Sequence, residues 1–220
     1  MNIASITDHS FLRPDSTIEG IEICCKEAKH YGCRAVCIPP LFVKKAKEFL
    51  LGAEIKLATV VGFPFGYSAI EAKLAETILA IVDGADEIEM VINIAAVKTG
   101  DWQYLAREIN SIMPIVKNKS KQLKVILETG LLIETEIMTC CDIYGAAGLD
   151  AVKTSTGFGA PGATIETVML LRKYLAEAVV INASGFTGNY AFARQLLDAG
   201  AALITPENSM QIVKEASILN

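Results

Sequence analysis

One lysine of the sequence lies inside an apolar segment, and that setting points to covalent chemistry. Lys153 follows two apolar residues and precedes Thr154, in a run with the composition of a buried strand. A lysine is almost never fully buried without a partner, and desolvation favours its neutral amine. A neutral amine attacks a carbonyl carbon to form an imine, which then draws electrons from a carbon–carbon bond two atoms away. Lys153 is therefore a candidate nucleophile, and the alternative is a lysine that only pairs with Glu89 or Glu128.

Eight short apolar segments that could position this lysine alternate with longer, helix-like segments. The predicted strands are residues 5–8, 35–38, 57–62, 87–93, 124–128, 151–154, 179–183 and 202–205. Their central runs are mostly not alternating, which is typical of parallel strands covered by helices. Repeated strand–helix units predict an α/β protein, and eight strands favour a closed (β/α)8 TIM barrel over a doubly wound open sheet. No dinucleotide-binding glycine pattern follows the first strand, which also counts against the open sheet.

Helix boundaries are marked by capping residues. The segments 16–19 and 68–71 each have the Ser-x-x-Glu pattern of a capping box, so helices are predicted to begin there. Asp101 is a predicted N-cap for a third helix, and Gly32 is a predicted helix stop.

Composition limits the class of protein and its partners. The chain has 220 residues, of which 52% are hydrophobic and 20% charged, so one domain over residues 1–220 is expected. The net charge is -5 and no dense basic cluster occurs, so nucleic acid and membrane surfaces are not expected partners. There is no signal-peptide pattern and no apolar run long enough to span a bilayer, so a cytoplasmic location is expected. Six cysteines with only two histidines predict reduced, buried thiols without a metal site or cofactor.

In a TIM barrel the reactive groups lie at the C-terminal ends of the strands. The predicted catalytic residues at these ends are Lys153 as nucleophile, Glu89 as acid/base and Asn182 as the group that orients a carbonyl or water. The predicted substrate-binding residues are Asp8, Cys37, Thr154, Ser184, Gly185, Phe186 and Glu207.

Several segments, in order along the chain, resemble the deoxyribose-phosphate aldolase family. They are Asp-His-Ser-Phe-Leu-Arg-Pro-Asp at 8–15, Val-Cys-Ile-Pro at 36–39, Val-Val-Gly-Phe-Pro-Phe-Gly at 60–66, Asp-Glu-Ile-Glu-Met-Val-Ile-Asn-Ile at 86–94, Lys-Val-Ile-Leu-Glu-Thr-Gly at 124–130 and Val-Lys-Thr-Ser-Thr-Gly-Phe at 152–158. The resemblance implies a metal-free class I aldolase that reversibly joins acetaldehyde to glyceraldehyde 3-phosphate, with Lys153 as the Schiff-base residue. It also implies a homo-oligomer.

Two differences from the family pattern fall on the residues that tune this lysine. Asn182 stands where the family has a second lysine, whose charge is thought to lower the pKa of the nucleophile. Asparagine does not titrate, so Lys153 should hold its proton more firmly here. Glu89 stands where the family has an aspartate of the proton relay. The pair of changes predicts either a rebuilt relay or a decayed one.

A third difference falls on the loops with which the family holds phosphate. Phe186 replaces the second glycine of the loop after the seventh strand, and the arginine of that loop is absent. After the eighth strand, Pro206 removes a backbone donor and Glu207 places negative charge where a phosphate dianion would lie. Part of the cradle persists at Gly159 and Gly162. The expected substrate is therefore a small carbonyl compound whose phosphate is altered or absent.

Three hypotheses follow from these residues. The first is a diverged Schiff-base aldolase or lyase. The second is a weakened or inactive aldolase-like barrel that acts as a binding protein. The third is ordinary deoxyribose-phosphate cleavage at a reduced rate. Reactivity of Lys153 towards carbonyl compounds separates the first and third hypotheses from the second.

Overall fold

The computed structural model describes residues 2–159 and 161–219, and within them eight strands form one parallel sheet in chain order. The strands are β1 (Asp8–Ser10), β2 (Ala35–Ile38), β3 (Lys56–Val61), β4 (Glu87–Val91), β5 (Gln122–Ile126), β6 (Ala151–Lys153), β7 (Val180–Ser184) and β8 (Leu203–Thr205). A parallel bridge between Thr7 and Ile204 joins the two ends of the sheet, so it closes into a barrel. The predicted TIM barrel is confirmed, and the open-sheet alternative is wrong.

The helices cover the outside of this barrel. They are α1 (Ile18–Tyr31), α2 (Val43–Phe49), α3 (Ile70–Asp83), α4 (Ile94–Thr99), α5 (Trp102–Asn118), α6 (Glu134–Ala146), α7 (Ile165–Tyr174), α8 (Tyr190–Asp198) and α9 (Ser209–Leu219). None of these described helices is long and apolar enough to cross a bilayer.

The first strand begins later than its sequence indicates. Residues 5–8 are expected to form it, but Ala4–Ile6 is a 3-10 turn and β1 starts at Asp8. The turn closes because the Thr7 amide donates to the Ala4 carbonyl and the Thr7 hydroxyl donates to the Ile3 carbonyl. A segment as short as 5–8 fits a turn as well as a strand, and local hydrogen bonds favour the turn here.

The helix ends agree with the sequence at two places and differ at two. The side chain of Asp101 accepts from the amide of Tyr104, and Gly32 ends α1 in the left-handed conformation, as expected. The first predicted capping box begins one residue too early, because Thr17 rather than Ser16 accepts from Gly20. The second is wrong, because Ala69 is the N-cap of α3 and no side chain caps it.

Alternation along the strands separates an apolar outer layer from a polar barrel interior. On β4, Ile88 and Met90 belong to the main apolar core, whereas Glu89 faces the charged side chains of other strands. Small side chains leave room for these charges: Cys37, Ala58 and Val60 form a separate small cluster. The interior of the barrel therefore holds the chemistry, and the layer beneath the helices supplies the apolar packing.

Candidate active site

Lys153 and Glu89 form a buried ion pair inside the barrel. The Lys153 Nζ lies 2.6 Å from Glu89 Oε2, and the two residues are 3% and 0% exposed. Burial by itself lowers the pKa of Lys153, but the Glu89 carboxylate outweighs it and the pKa is raised above its usual value. Burial likewise raises the pKa of Glu89, and the charges of Lys153 and Lys124 outweigh that, so this pKa is lowered. Lys153 therefore rests as an ammonium.

The pair belongs to a larger network that runs down through the barrel. Lys124 Nζ lies 2.6 Å from Asp8 Oδ2, 2.7 Å from Glu87 Oε2 and 3.3 Å from Glu89 Oε1. Arg34 bonds Asp8 through Nε and both oxygens of Glu87 through its terminal nitrogens. The network joins three carboxylates to three cations, namely Asp8, Glu87, Glu89, Arg34, Lys124 and Lys153. Its charges balance only when all three cations are protonated.

Asn182 on β7 is the register partner of Lys153 on β6, and the side-chain amide of Asn182 makes hydrogen bonds to other residues. Its Nδ2 donates to Asp8 Oδ2 at 2.9 Å, and its Oδ1 accepts from the Thr205 hydroxyl at 2.9 Å. A lysine at this position would add a fourth cation to the network. The observed bonds join β7 to β1 and β8, and the role of orienting a carbonyl or water remains a prediction.

Thr154 and Ser184 bind each other across the ends of β6 and β7. The Ser184 amide donates to the Thr154 hydroxyl, and the Ser184 hydroxyl donates to the Ser155 carbonyl at 2.7 Å. Both side chains are fully buried. Their observed function is to fix the end of the lysine strand, and a substrate contact by either stays a prediction.

Cys37 contacts the same oxygen of Glu89 as Lys153 does. Its thiol contacts Glu89 Oε2 at 3.4 Å, and burial, together with the Glu89 charge, raises the pKa of Cys37 well above its usual value. A neutral thiol in this place donates a weak hydrogen bond to the carboxylate. Cys37 thus contacts the acid/base residue directly.

Glu128 follows β5 at the barrel mouth and does not pair with Lys153. Its backbone is left-handed, with φ 54°. Its Oε2 accepts from the amide and the hydroxyl of Thr156, whereas its Oε1 is buried without a described partner. Burial raises the pKa of Glu128. The sequence-based alternative of a Lys153–Glu128 pair is wrong, because Thr156 holds this carboxylate.

The loops after β7 and β8 meet the lysine loop at the mouth. The amide of Glu207 donates to the carbonyl of Phe186 at 2.9 Å. The carboxylate of Glu207 packs against Gly157, where an added Cβ would overlap Glu207 Oε1. An added Cβ at Gly185 would approach the Gly157 nitrogen to 3.0 Å. Gly157 and Gly185 thus allow the loops to approach closely and leave space for the acidic side chain.

The ring of Phe186 lies away from this carboxylate contact. It is 4% exposed and packs edge-on against Phe192 of α8, with ring centroids 5.5 Å apart. This placement makes Phe186 a packing residue of the loop, and a substrate contact by its ring stays a prediction.

Comparisons with known proteins agree with this geometry. A family model described as DeoC/LacD family aldolase matches residues 3–204. A deoxyribose-phosphate aldolase of Caldanaerobacter subterraneus subsp. tengcongensis is 44% identical over 216 residues, which cover 98% of this chain and 94% of that protein. One from Thermococcus gammatolerans is 43% identical over 218 residues, covering 98% and 97%. The chain belongs to the DeoC/LacD aldolase family. It is accordingly a class I aldolase, an enzyme of the carbon–carbon lyase class.

A solved structure extends the likeness of this aldolase to the whole barrel. The deoxyribose phosphate aldolase of Aeropyrum pernix, described as having a unique tetrameric structure, superposes with a TM-score of 0.92 at 28% identity. The match covers 99% of this chain and 92% of that one. Within residues 2–159 and 161–219 of the present aldolase, no cluster of His, Cys, Asp or Glu side chains is arranged to hold a metal ion.

Sequence reasoning missed three members of the aldolase's charge network. Arg34, Glu87 and Lys124 were not among the predicted site residues, although they set the charge around Lys153. One signal was available, because Lys124 is also a lysine within an apolar strand. The partners of these residues come from other strands, so their pairing depends on barrel closure and register.

Proposed function

We propose that this aldolase makes and breaks carbon–carbon bonds through an imine between Lys153 and a small carbonyl compound. The observation that carries the proposal is the 2.6 Å contact between Lys153 Nζ and Glu89 Oε2, deep in the barrel beneath the C-terminal loops. The Lys153 amine has one acid/base partner in direct contact, which is Glu89. The other described lysine of the barrel interior, Lys124, is instead held by three carboxylates.

Glu89 serves the lysine in this proposal. The amine attacks in the fraction of molecules in which Lys153 has given its ammonium proton to the solvent, and Glu89 then accepts a proton from the attacking nitrogen over a contact whose length lies in the range for proton transfer. The protonated Glu89 gives this proton to the former carbonyl oxygen, which makes the neutral carbinolamine. A proton from the solvent, which replaces the one lost by the ammonium, then converts the hydroxyl into the water that leaves. The resulting iminium carries one positive charge, as the ammonium did, so the network is balanced again.

The charge and hydrogen bonding of the loops after β7 and β8 favour a substrate whose distal end is uncharged. A phosphate dianion bound after β7 and β8 would face the Glu207 carboxylate, which packs at Gly157. Pro206 offers no amide proton, and the amide of Glu207 is already bonded to Phe186. We therefore propose a short aldehyde or hydroxyaldehyde without phosphate as the preferred substrate. The named relatives are deoxyribose-phosphate aldolases, so cleavage of the phosphorylated sugar is the second candidate activity.

Borohydride trapping tests the proposal. The protein is incubated separately with acetaldehyde, deoxyribose and deoxyribose 5-phosphate, reduced, digested and mapped by mass spectrometry. We expect a reduced adduct on Lys153 that is absent from Lys153→Met and unchanged in the exposed control Lys44→Met. Cleavage rates for the two sugars then rank the substrates. Absence of any adduct on Lys153 would contradict the imine and favour a barrel that only binds its ligand.

We also propose a homo-oligomer in the cytoplasm, built from one domain per chain. The assembly is supported by the tetrameric description of the Aeropyrum pernix relative. The location is supported by six buried cysteines that are free thiols, as expected in a reducing compartment. Light scattering coupled to gel filtration tests the assembly, because a mass of 23.6 kDa would identify a monomer.

A further inference from the structure

The acidic side chains near Lys153 differ in how many hydrogen bonds and ion pairs they make with other residues. Glu89 contacts Lys153, Lys124 and Cys37. Glu128 is held by Thr156. The carboxylate of Glu207 has no hydrogen bond or ion pair to any residue that the structure describes. Among these three, Glu207 is therefore the acidic residue with both oxygens free to bond with a molecule that enters the mouth, whereas Glu128 has only its buried Oε1 without a described partner.

The backbone of Glu207 is firmly placed although its carboxylate is free. β8 ends at Thr205, whose hydroxyl bonds Asn182, and the amide of Glu207 bonds the Phe186 carbonyl. From this anchored position the side chain crosses the end of β7 and reaches Gly157, four residues after Lys153. Gly157 has φ 85°, a conformation that favours glycine, and the carboxylate lies where a Cβ of any other residue would be.

The carboxylate of Glu207 lies within range of the charge of Lys153. β6 and β8 flank β7, so their backbones lie about 10 Å apart on the two sides of that strand. The positive charge of Lys153 acts to lower the pKa of Glu207. Partial burial outweighs that influence and raises the pKa of Glu207, which makes the carboxyl a better proton acceptor.

We propose that Glu207 transfers the substrate's own proton, whereas Glu89 serves the nitrogen of Lys153. This inference rests on the imine proposed above. In cleavage, Glu207 takes the proton of the hydroxyl on the carbon β to the imine carbon. The bond between the α and β carbons breaks, an aldehyde leaves, and the electron pair forms the enamine while the iminium nitrogen becomes neutral. Glu207 then returns the proton to the α carbon, the iminium re-forms, and water releases the second carbonyl compound.

Deuterium exchange isolates this step from imine formation. Acetaldehyde is incubated with the protein in D2O, and loss of the methyl proton signal is followed by NMR, with the rate without protein subtracted. Exchange requires the enamine, and borohydride trapping of the same samples measures the adduct on Lys153. Glu207→Gln should keep the trapped adduct while its exchange rate falls about 100-fold, the lower end of the range for general acid–base groups.

Two variants complete the experiment. Glu207→Asp should recover part of the exchange, because it restores the carboxylate on a shorter side chain. The exposed Glu177→Gln, in the turn before β7 at the opposite end of the barrel, should exchange at the wild-type rate. Wild-type exchange in Glu207→Gln with normal trapping would overturn the assignment of Glu207 alone. Absence of a trapped adduct in the wild-type protein would instead overturn the imine proposal.

Discussion

The barrel interior and the barrel mouth differ in whether their polar groups are paired with one another. In the interior, three carboxylates and three cations pair with one another over 2.6 to 3.3 Å. At the mouth, Glu207 has no described partner, and Glu128 Oε1 and Ser155 Oγ are buried without one. The interior therefore sets the resting charge of Lys153, and the mouth holds the groups that remain free for an incoming molecule.

The charge balance of the interior explains how asparagine at position 182 affects Lys153. With asparagine there, the interior contains as many cations as carboxylates, and every lysine keeps its proton. With a fourth cation, one amine would be neutral at lower pH because like charges repel. The substitution relative to the family pattern therefore acts on the resting charge of Lys153 more than on its position.

The largest expected effect comes from removing a cation from the interior. Lys124→Met should lower the free energy of unfolding by about 3–5 kcal/mol, because three buried carboxylates would then share two cations. Urea denaturation measures the change. The control Lys121→Met removes a partly exposed lysine just before β5 and should cost at most about 1 kcal/mol. Equal losses in the two variants would contradict the contrast between interior and surface.

The next effect is on reactivity. Asn182→Lys should lower the pKa of Lys153, and borohydride trapping at neutral pH should become about tenfold faster each time that pKa falls by one. Asn182→Asp adds a carboxylate at the same place and should slow trapping. Trapping rates that move in the same direction in both variants would show that geometry, rather than charge, explains the effect of this position.

The interior should also determine how stability depends on pH. The lowered pKa of Glu89 and Asp8 contributes stability that is present above their ordinary values of 4.5 and 3.8 and is lost as pH falls through the lower folded values. The raised pKa of Lys153 contributes stability below 10.5 that is lost as pH rises through its folded value. Urea midpoints should thus decline outside these limits. Glu89→Gln should lose part of the decline on the acid side.

The smallest effect on stability is expected at the mouth. Glu207→Gln should change the free energy of unfolding by less than about 0.5 kcal/mol, because an exposed carboxylate without a described partner is removed. Inorganic phosphate should inhibit the variant about fivefold more strongly, since a charge repulsion of about 1 kcal/mol disappears. An unchanged inhibition constant would argue that phosphate does not approach these loops.

The fold was predictable because it depends on local patterns. Buried parallel strands produce apolar runs. Asp101 has a side chain that can cap the start of a helix, and Gly32 can adopt the left-handed conformation that ends one. The prediction of the first strand failed because Ser-Ile-Thr-Asp at 5–8 is short and fits a turn followed by a strand start equally well. Ser16 and Thr17 are both good caps, and only the backbone geometry selects the second.

The sequence was enough to predict which residues at the strand ends belong to the site. It was not enough to predict which residues they pair with. Lys153 and Glu89 were identified from residue type and strand position, and the structure brings them into contact. The partners of Lys124 come from β1 and β4, and Arg34 lies before β2, so their meeting depends on closure of the whole barrel. The free carboxylate of Glu207 is likewise a result of loop packing, which residue spacing does not encode.

The pH dependence of imine formation tests whether Lys153 rests as an ammonium within a charge-balanced network. The initial rate of borohydride-trapped acetaldehyde adduct on Lys153 is measured from pH 6 to pH 10, with the rate of a free lysine derivative as reference. We expect a rate that rises about tenfold per pH unit throughout the range, because the pKa of Lys153 is raised above 10.5. A rate that levels off near pH 7 would show a neutral amine at rest and would contradict this expectation.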